Sequence, residues 1–180
     1  MKTILRDIAI TLAIALVIFL VLRATVQAYK VIETCMEPGY VEGEWILASK
    51  ATYWFHEPER GDVIILEPPI DIDEVYIKRL IALPGDTVEV KDGLVYVNGI
   101  ALEEPYIKEA PTYTFPPTEL GDDEYFVLGD NRNNANDSHT GWTITRDDII
   151  GKAWFTYWPP SEWGGANNYP LGDELEPATE

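Results

Sequence analysis

The chain has 180 residues, enough for one packed domain and a short appendage. Apolar residues make up 46% of it, which argues against wholesale disorder. Acidic residues outnumber basic ones 31 to 13, for a net charge of -18. Phosphate binding needs a basic surface, so nucleic acid is a poor partner.

In chain order, the first feature is an uncharged apolar run from Ile8 to Leu22. A bilayer span takes about 20 residues. Arg23 can snorkel, and apolar character resumes at Ala24, Val26 and Ala28, so Ile8 to Ala28 reaches that length. Residues 1–28 are therefore expected to form a membrane anchor. Lys2 and Arg6 precede the run and favour an N-terminus inside, whereas Arg23 and Lys30 weaken that bias. A cleavable signal peptide is the rival reading, with Lys2 and Arg6 as its charged start and Val26-Gln27-Ala28 as a small-residue cleavage site. Both readings place the body outside the cytoplasm. A buried core helix fits the N-terminal position less well.

The body, residues 31–180, carries nine basic and 30 acidic residues, a net of -21. Short alternating segments bounded by turn residues dominate it. Trp45-Ile46-Leu47 and Val63 to Leu66 read as strands, the second introduced by Arg60-Gly61-Asp62. Asp86 to Val90 alternates, Asp92-Gly93 turns the chain, and Leu94 to Val97 follows, closed by Asn98-Gly99. Tyr125 to Leu128 and Gly151 to Trp158 add further strands. The expected class is mainly β, a coiled antiparallel sheet or open barrel over residues 29–160. Within it, 85–124 reads as a small cap-like insertion, and the Pro- and Thr-rich stretch 104–120 as a loop or cap edge. Residues 161–180, rich in Gly, Asn, Pro and acid, read as a disordered tail.

Cys35 is the single cysteine, so no internal disulfide can form, and paired Cys and His spacings for a metal are absent. No metal or organic cofactor is implied. A lone cysteine is by itself more often an inert filler than a nucleophile. Its context is different. Glu33-Thr34-Cys35-Met36-Glu37-Pro38 is followed by Arg60-Gly61-Asp62-Val63, then by Tyr76 to Asp86 (YIKRLIALPGD), then by Gly129 to Ser138 (GDNRNNANDS). Together, in this order behind an apolar segment, the four motifs resemble the bacterial type I signal peptidases over residues 1 to about 160.

The resemblance implies a β fold of coiled antiparallel sheets with one N-terminal transmembrane helix. It implies a membrane-bound endopeptidase that removes N-terminal signal peptides from exported precursors after small residues, at the cytoplasmic membrane with its catalytic domain outside. Cys35 falls at the nucleophile and Lys78 at the general base. Val31 and Ile32, with Tyr76 and Ile77, fall at the strands that flank an extended substrate. Met36, Pro38, Asp130, Arg132 and Asp137 fall at the scaffold of the site, the charged residues of the loop being paired to one another. The implied partners are signal peptides of secreted preproteins and the lipid bilayer. A relative that binds such peptides without cutting them is the alternative. An anchored domain binding wall polymers would leave the four motifs unexplained.

Six positions depart from the family pattern. Cys35 stands where serine is usual. A thiol ionises near pH 8.5, so it asks less of the base than a hydroxyl and could form a standing thiolate–ammonium pair. A lysine base must act as a neutral amine although a free amine holds its proton to about pH 10.4; Ile77, Leu80 and Ile81 are neighbours whose packing favours the neutral form. Ala135 replaces a serine that orients the lysine. His139 replaces an arginine, and is itself an alternative base for Cys35. Gly39-Tyr40 replaces Thr-Leu. Glu33 lacks the hydroxyl that some members lend to the oxyanion hole. Finally, Trp45, Tyr53, Trp54 and Phe55 cluster near the nucleophile and read equally as interfacial rings or as core.

Overall fold

The computed structural model describes residues 2–70 and 74–171. It opens with helix α1, Lys2–Thr25, free of Gly and Pro and rich in Ala, Leu and Ile. At 1.5 Å per residue the helix is about 36 Å long, more than the hydrocarbon core of a bilayer. Its segment Thr3–Thr25 is apolar enough to cross one, and none of its side chains packs inside the protein. Arg23 sits in the last turn, where a cation complements the helix dipole.

The helix ends sooner than expected. Val26, Gln27 and Ala28, expected as the end of the anchor, belong instead to strand β1 (Val26–Lys30). Their backbone groups pair with β2 (Trp45–Ser49), Val26 opposite Ser49 and Ala28 opposite Leu47. Thr25 closes the helix by accepting the Lys50 N–H at 2.8 Å. A ready antiparallel partner thus takes over the backbone bonds that a longer helix would have made.

Two antiparallel sheets make up the body. After β2 and the one-turn helix α2 (Thr52–Phe55) come β3 (Val63–Leu66) and β4 (Tyr76–Ala82). The chain then leaves for a small sheet of β5 (Thr87–Lys91), β6 (Leu94–Val97), β7 (Ile100–Ala101) and β8 (Phe115–Glu119). It returns through β9 (Phe126–Leu128), β10 (Ile149–Trp158) and β11 (Gly164–Gly165). The large sheet runs β1-β2-β10-β3-β4-β9, with β11 also on β10; the small one runs β7-β6-β5-β8. Asp92-Gly93 and Asn98-Gly99 make the two tight turns of the small sheet. All four residues have positive φ, the conformation a two-residue hairpin turn requires.

Val88, Val90, Val95 and Val97 point inward from the small sheet and pack on Ile81, Phe126 and Leu128 of the large one. The Pro- and Thr-rich stretch contains a strand rather than only loop. β8 occupies the sheet edge, where Pro116 and Pro117 have no inward N–H to supply, and Phe115 packs on Phe126 at 5.1 Å. A second core gathers Ile64, Leu66, Leu80, Val127, Trp142 and Ile144. The third gathers Val31, Cys35, Met36, Tyr40, Ile46, Val63 and Ala153.

The stretch expected as a disordered tail is ordered as far as Leu171. Pro160–Glu162 form a 3-10 turn, β11 pairs with β10, and Asn168 caps the Val63 N–H through its side-chain oxygen at 2.8 Å. Short amide side chains that replace backbone partners explain why so polar a segment packs. Residues 172–180 of that expected tail lie outside the described residues.

Candidate active site

Val31 follows β1 and stays tethered to the neighbouring turn, its N–H on Glu44 O at 2.8 Å and its carbonyl on Gly43 N–H at 2.9 Å. The chain then coils into a tight turn closed by Glu37 N–H to Thr34 O (3.2 Å) and Tyr40 N–H to Met36 O (2.9 Å). This puts Cys35 inside, only 3% exposed, with Met36 fully buried beneath it and Pro38 on the outside. The loop after β9 braces the turn. Asn131 donates its N–H to Cys35 O and its Nδ2 to Thr34 O, both at 2.9 Å, and Asn134 Nδ2 reaches Thr34 Oγ1 at 3.0 Å. Gly129 makes this approach possible: a Cβ there would lie 2.6 Å from both Cys35 O and Ala135 Cβ. Among the described residues no acceptor takes the Cys35 N–H.

Lys78 lies on β4 opposite Ile64 of β3 and is 1% exposed. Its Nζ is 3.1 Å from Cys35 Sγ, which is in turn 3.7 Å from Ile77 O. Nζ also sits 4.9 Å from the centre of the Tyr76 ring. Among the described residues Cys35 Sγ is the one hydrogen-bond partner of Lys78 Nζ. Burial pushes the Cys35 thiol above its ordinary range, and the charges of Glu33 and Asp137 push the same way, while Lys78 opposes them through charge and hydrogen bond. The balance favours a neutral resting thiol over the standing thiolate.

Both side chains open onto a cleft of about 390 Å³. Val31, Ile32 and Glu33 line it from one segment, Tyr76, Ile77 and Lys78 from another. β9 pairs with β4 only from Arg79 onward, so Ile77 and Lys78 have no strand paired on that edge among the described residues. The four expected substrate-binding residues are thus brought to one cleft, with Val31 buried and Ile32 exposed at its rim.

The charged scaffold is arranged differently from expectation. Asp130, Arg132 and Asp137 are buried but are not paired to one another. Asp130 takes a two-pronged bond from Arg79, at 2.8 and 2.7 Å. Arg132 forks onto Glu104, one arm at 2.8 Å, and holds Gly129 O at 3.1 Å. Asp137 accepts the Gly129 N–H at 2.9 Å and faces His139 Nδ1 at 2.6 Å. Each guanidinium thus finds a carboxylate on a different element, satisfying its fork geometry. Burial pushes the Asp130 carboxyl up, and Arg79 opposes this. Arg79 and Glu104 were therefore missing from the expected scaffold. Arg79 was in view beside Lys78, but the rule that a buried arginine needs a carboxylate cannot choose among so many acids.

The remaining departures also resolve. His139 stacks on Tyr113 at 3.9 Å and binds Asp137, whereas the basic side chain that contacts Cys35 is Lys78. Ala135 packs beside the Cys35 core and offers Lys78 no hydroxyl. The aromatic cluster divides: Tyr53 is buried with its hydroxyl on Asp62 at 2.8 Å, while Trp54 and Phe55 stand 57% and 80% exposed.

Comparison with known proteins gives the family. The chain is 42% identical over 166 residues to probable signal peptidase I-1 of Synechocystis sp., covering 88% of this chain and 85% of that one. It is 37% identical to signal peptidase I of Leptolyngbya laminosa, over 86% and 80% of the two chains. It is 39% identical to the chloroplastic thylakoidal processing peptidase 1 of Arabidopsis thaliana, over 72% and 41%. Residues 4–158 match the family described as signal peptidase, peptidase S26, and the chain belongs to that family.

Proposed function

We propose that the chain is a signal peptidase that cuts signal peptides from precursor proteins, with Cys35 as nucleophile and Lys78 as general base. The contact of 3.1 Å between two buried groups opening onto one cleft carries this reading. An extended peptide would add as a strand along the edge at Ile77 and Lys78, its side chains meeting Val31 and Ile32 across the cleft. Small residues are expected before the cut.

The chemistry follows from the same geometry. Lys78 as free amine takes the Cys35 proton, and the sulfur attacks the peptide carbonyl carbon. The oxyanion finds the unclaimed Cys35 N–H. Collapse forms a thioester, and the Lys78 ammonium returns its proton to the leaving amine. Lys78 then takes a proton from water, whose oxygen attacks the thioester, and returns that proton to the departing sulfur, which restores the Cys35 thiol and the Lys78 free amine.

The apolar helix α1 would anchor the body in the cytoplasmic membrane, N-terminus inside, with residues 29–160 as the extracytoplasmic catalytic unit and 85–124 as its cap. The exposed rings of Trp54 and Phe55 would meet lipid headgroups. The detergent-solubilised chain should cleave a precursor with an Ala-x-Ala site, and Cys35→Ala and Lys78→Ala should not. Cleavage that survives in both variants would refute the assignment; capture of the precursor without cleavage by the parent would mark a protein that binds and does not cut.

A further inference from the structure

The motifs of the site do not include residues 164–171, yet this strap touches the turn that carries Cys35, the strand that carries Lys78, and β3 beside it. Asn167 uses three polar groups in three directions. Its backbone carbonyl accepts Arg79 Nη1 at 2.9 Å, on the residue next to Lys78. Its backbone N–H donates to the Tyr40 hydroxyl at 3.1 Å, and its Nδ2 donates to Gly39 O at 2.7 Å, both at the end of the turn that carries Cys35. Asn168 holds the Val63 N–H on β3, the strand paired to β4 beside Lys78. Tyr169 packs on Tyr106 at 5.3 Å, and Tyr106 in turn covers the Arg79 guanidinium at 4.0 Å.

We infer that Asn167 is a positioning residue for the reaction, fixing the separation between the nucleophile turn and the lysine strand. Cys35 and Lys78 come from segments 43 residues apart, and no strand pairing joins them directly. Their contact depends on third parties that hold both. The Asn131 loop braces the turn from one side. Asn167 ties its other end, Gly39 and Tyr40, to Arg79. Tyr40 is buried with Asn167 as its hydrogen-bond donor, which gives this residue a specific use at a position where the family has Leu. The inference rests on the Cys35–Lys78 reading, but its effect is measurable without turnover.

The test uses the full chain in detergent, with Asn167→Ala and Tyr40→Phe. The measurements are kcat and KM on the precursor, the thermal midpoint, and the rate of Cys35 alkylation by iodoacetamide against pH. Asn167→Ala removes the Gly39 bond and should lower kcat about tenfold, the scale of one lost hydrogen bond, with KM within about twofold. Because Lys78 is the group that lowers the Cys35 ionisation, loosening the contact should also move the alkylation profile to higher pH, towards that of Lys78→Ala. An unchanged alkylation profile, or activity that falls only in step with the folded fraction, overturns the inference. If Asn167→Ala does not fold, Tyr40→Phe, which keeps the ring and removes one acceptor, decides by the same readouts. If the parent cleaves no precursor, the functional reading falls while the alkylation profiles still judge the strap.

Discussion

The two sheets are stabilised by opposite means. The small sheet has an interior of Val88, Val90, Val95 and Val97 and keeps its charges, such as Glu89 and Lys91, on the outer face. The large sheet buries Lys78, Arg79 and Asp62 on or beside its central strands and calls in Asp130 from a loop. Burying an ion pair gives little net stability over well-packed apolar groups, because desolvation offsets attraction. The large sheet therefore carries its charges for what they position, and the small sheet is free to be a scaffold. Substitutions in the small sheet should cost stability alone, whereas those at the buried charges of the large sheet should cost activity whether or not stability falls.

The sharpest contrast should come from Cys35→Ala and Lys78→Ala on the large-sheet side. Each should lower precursor cleavage by at least about a thousandfold, the scale seen when one member of a nucleophile–base set is removed. The urea midpoint of Cys35→Ala should stay close to the parent's. Arg79→Met comes next, because it strands the Asp130 carboxylate in the interior. A loss of about 3–5 kcal/mol in urea unfolding is expected, most of it recovered when Asp130→Leu is added. Recovery of stability without activity would support the division between the sheets. Val97→Ala in the small sheet removes buried methyl groups and should lower stability by about 2 kcal/mol with kcat unchanged. A large fall in kcat there would break the comparison.

A smaller effect concerns ionisation. Burial raises the Cys35 thiol and Lys78 lowers it, so Lys78→Ala removes a lowering influence and leaves burial unopposed. Alkylation of Cys35 should therefore need higher pH in Lys78→Ala than in the parent. A move to lower pH would show that the ammonium does not act on the sulfur. Lys91→Ala, on the exposed face of the small sheet, should leave both midpoint and activity unchanged.

The same division decides what could be read from the amino acids. Thr87 to Lys91 alternates in and out as period-two patterning requires, and the Asp-Gly and Asn-Gly turns appear where expected. β4 defeats that reading, since Lys78 and Arg79 are adjacent and both buried, and adjacent strand residues face opposite sides. β1 was hidden because Val26 to Ala28 extend an apolar run, and β8 because two prolines mask an edge strand. Cys35 and Lys78 were legible through ordered motifs. Glu104 and Asn167 were not, because each acts through a partner distant in the chain, and neither acid nor amide stands out locally.

β1 starts at the residue after α1 ends, and Thr25 is pinned to Lys50, so no flexible tether lies between helix and body. Only one short strand and one tight turn then separate the helix from Cys35. With such a helix seated in lipid, the reactive sulfur would hang at a set height over the bilayer surface. The peptidase would act as a gauge, admitting bonds at the right distance from the membrane before any side chain is read. Inserting a few glycines between Thr25 and Val26 would uncouple that height from the chemistry while leaving the Cys35–Lys78 contact untouched.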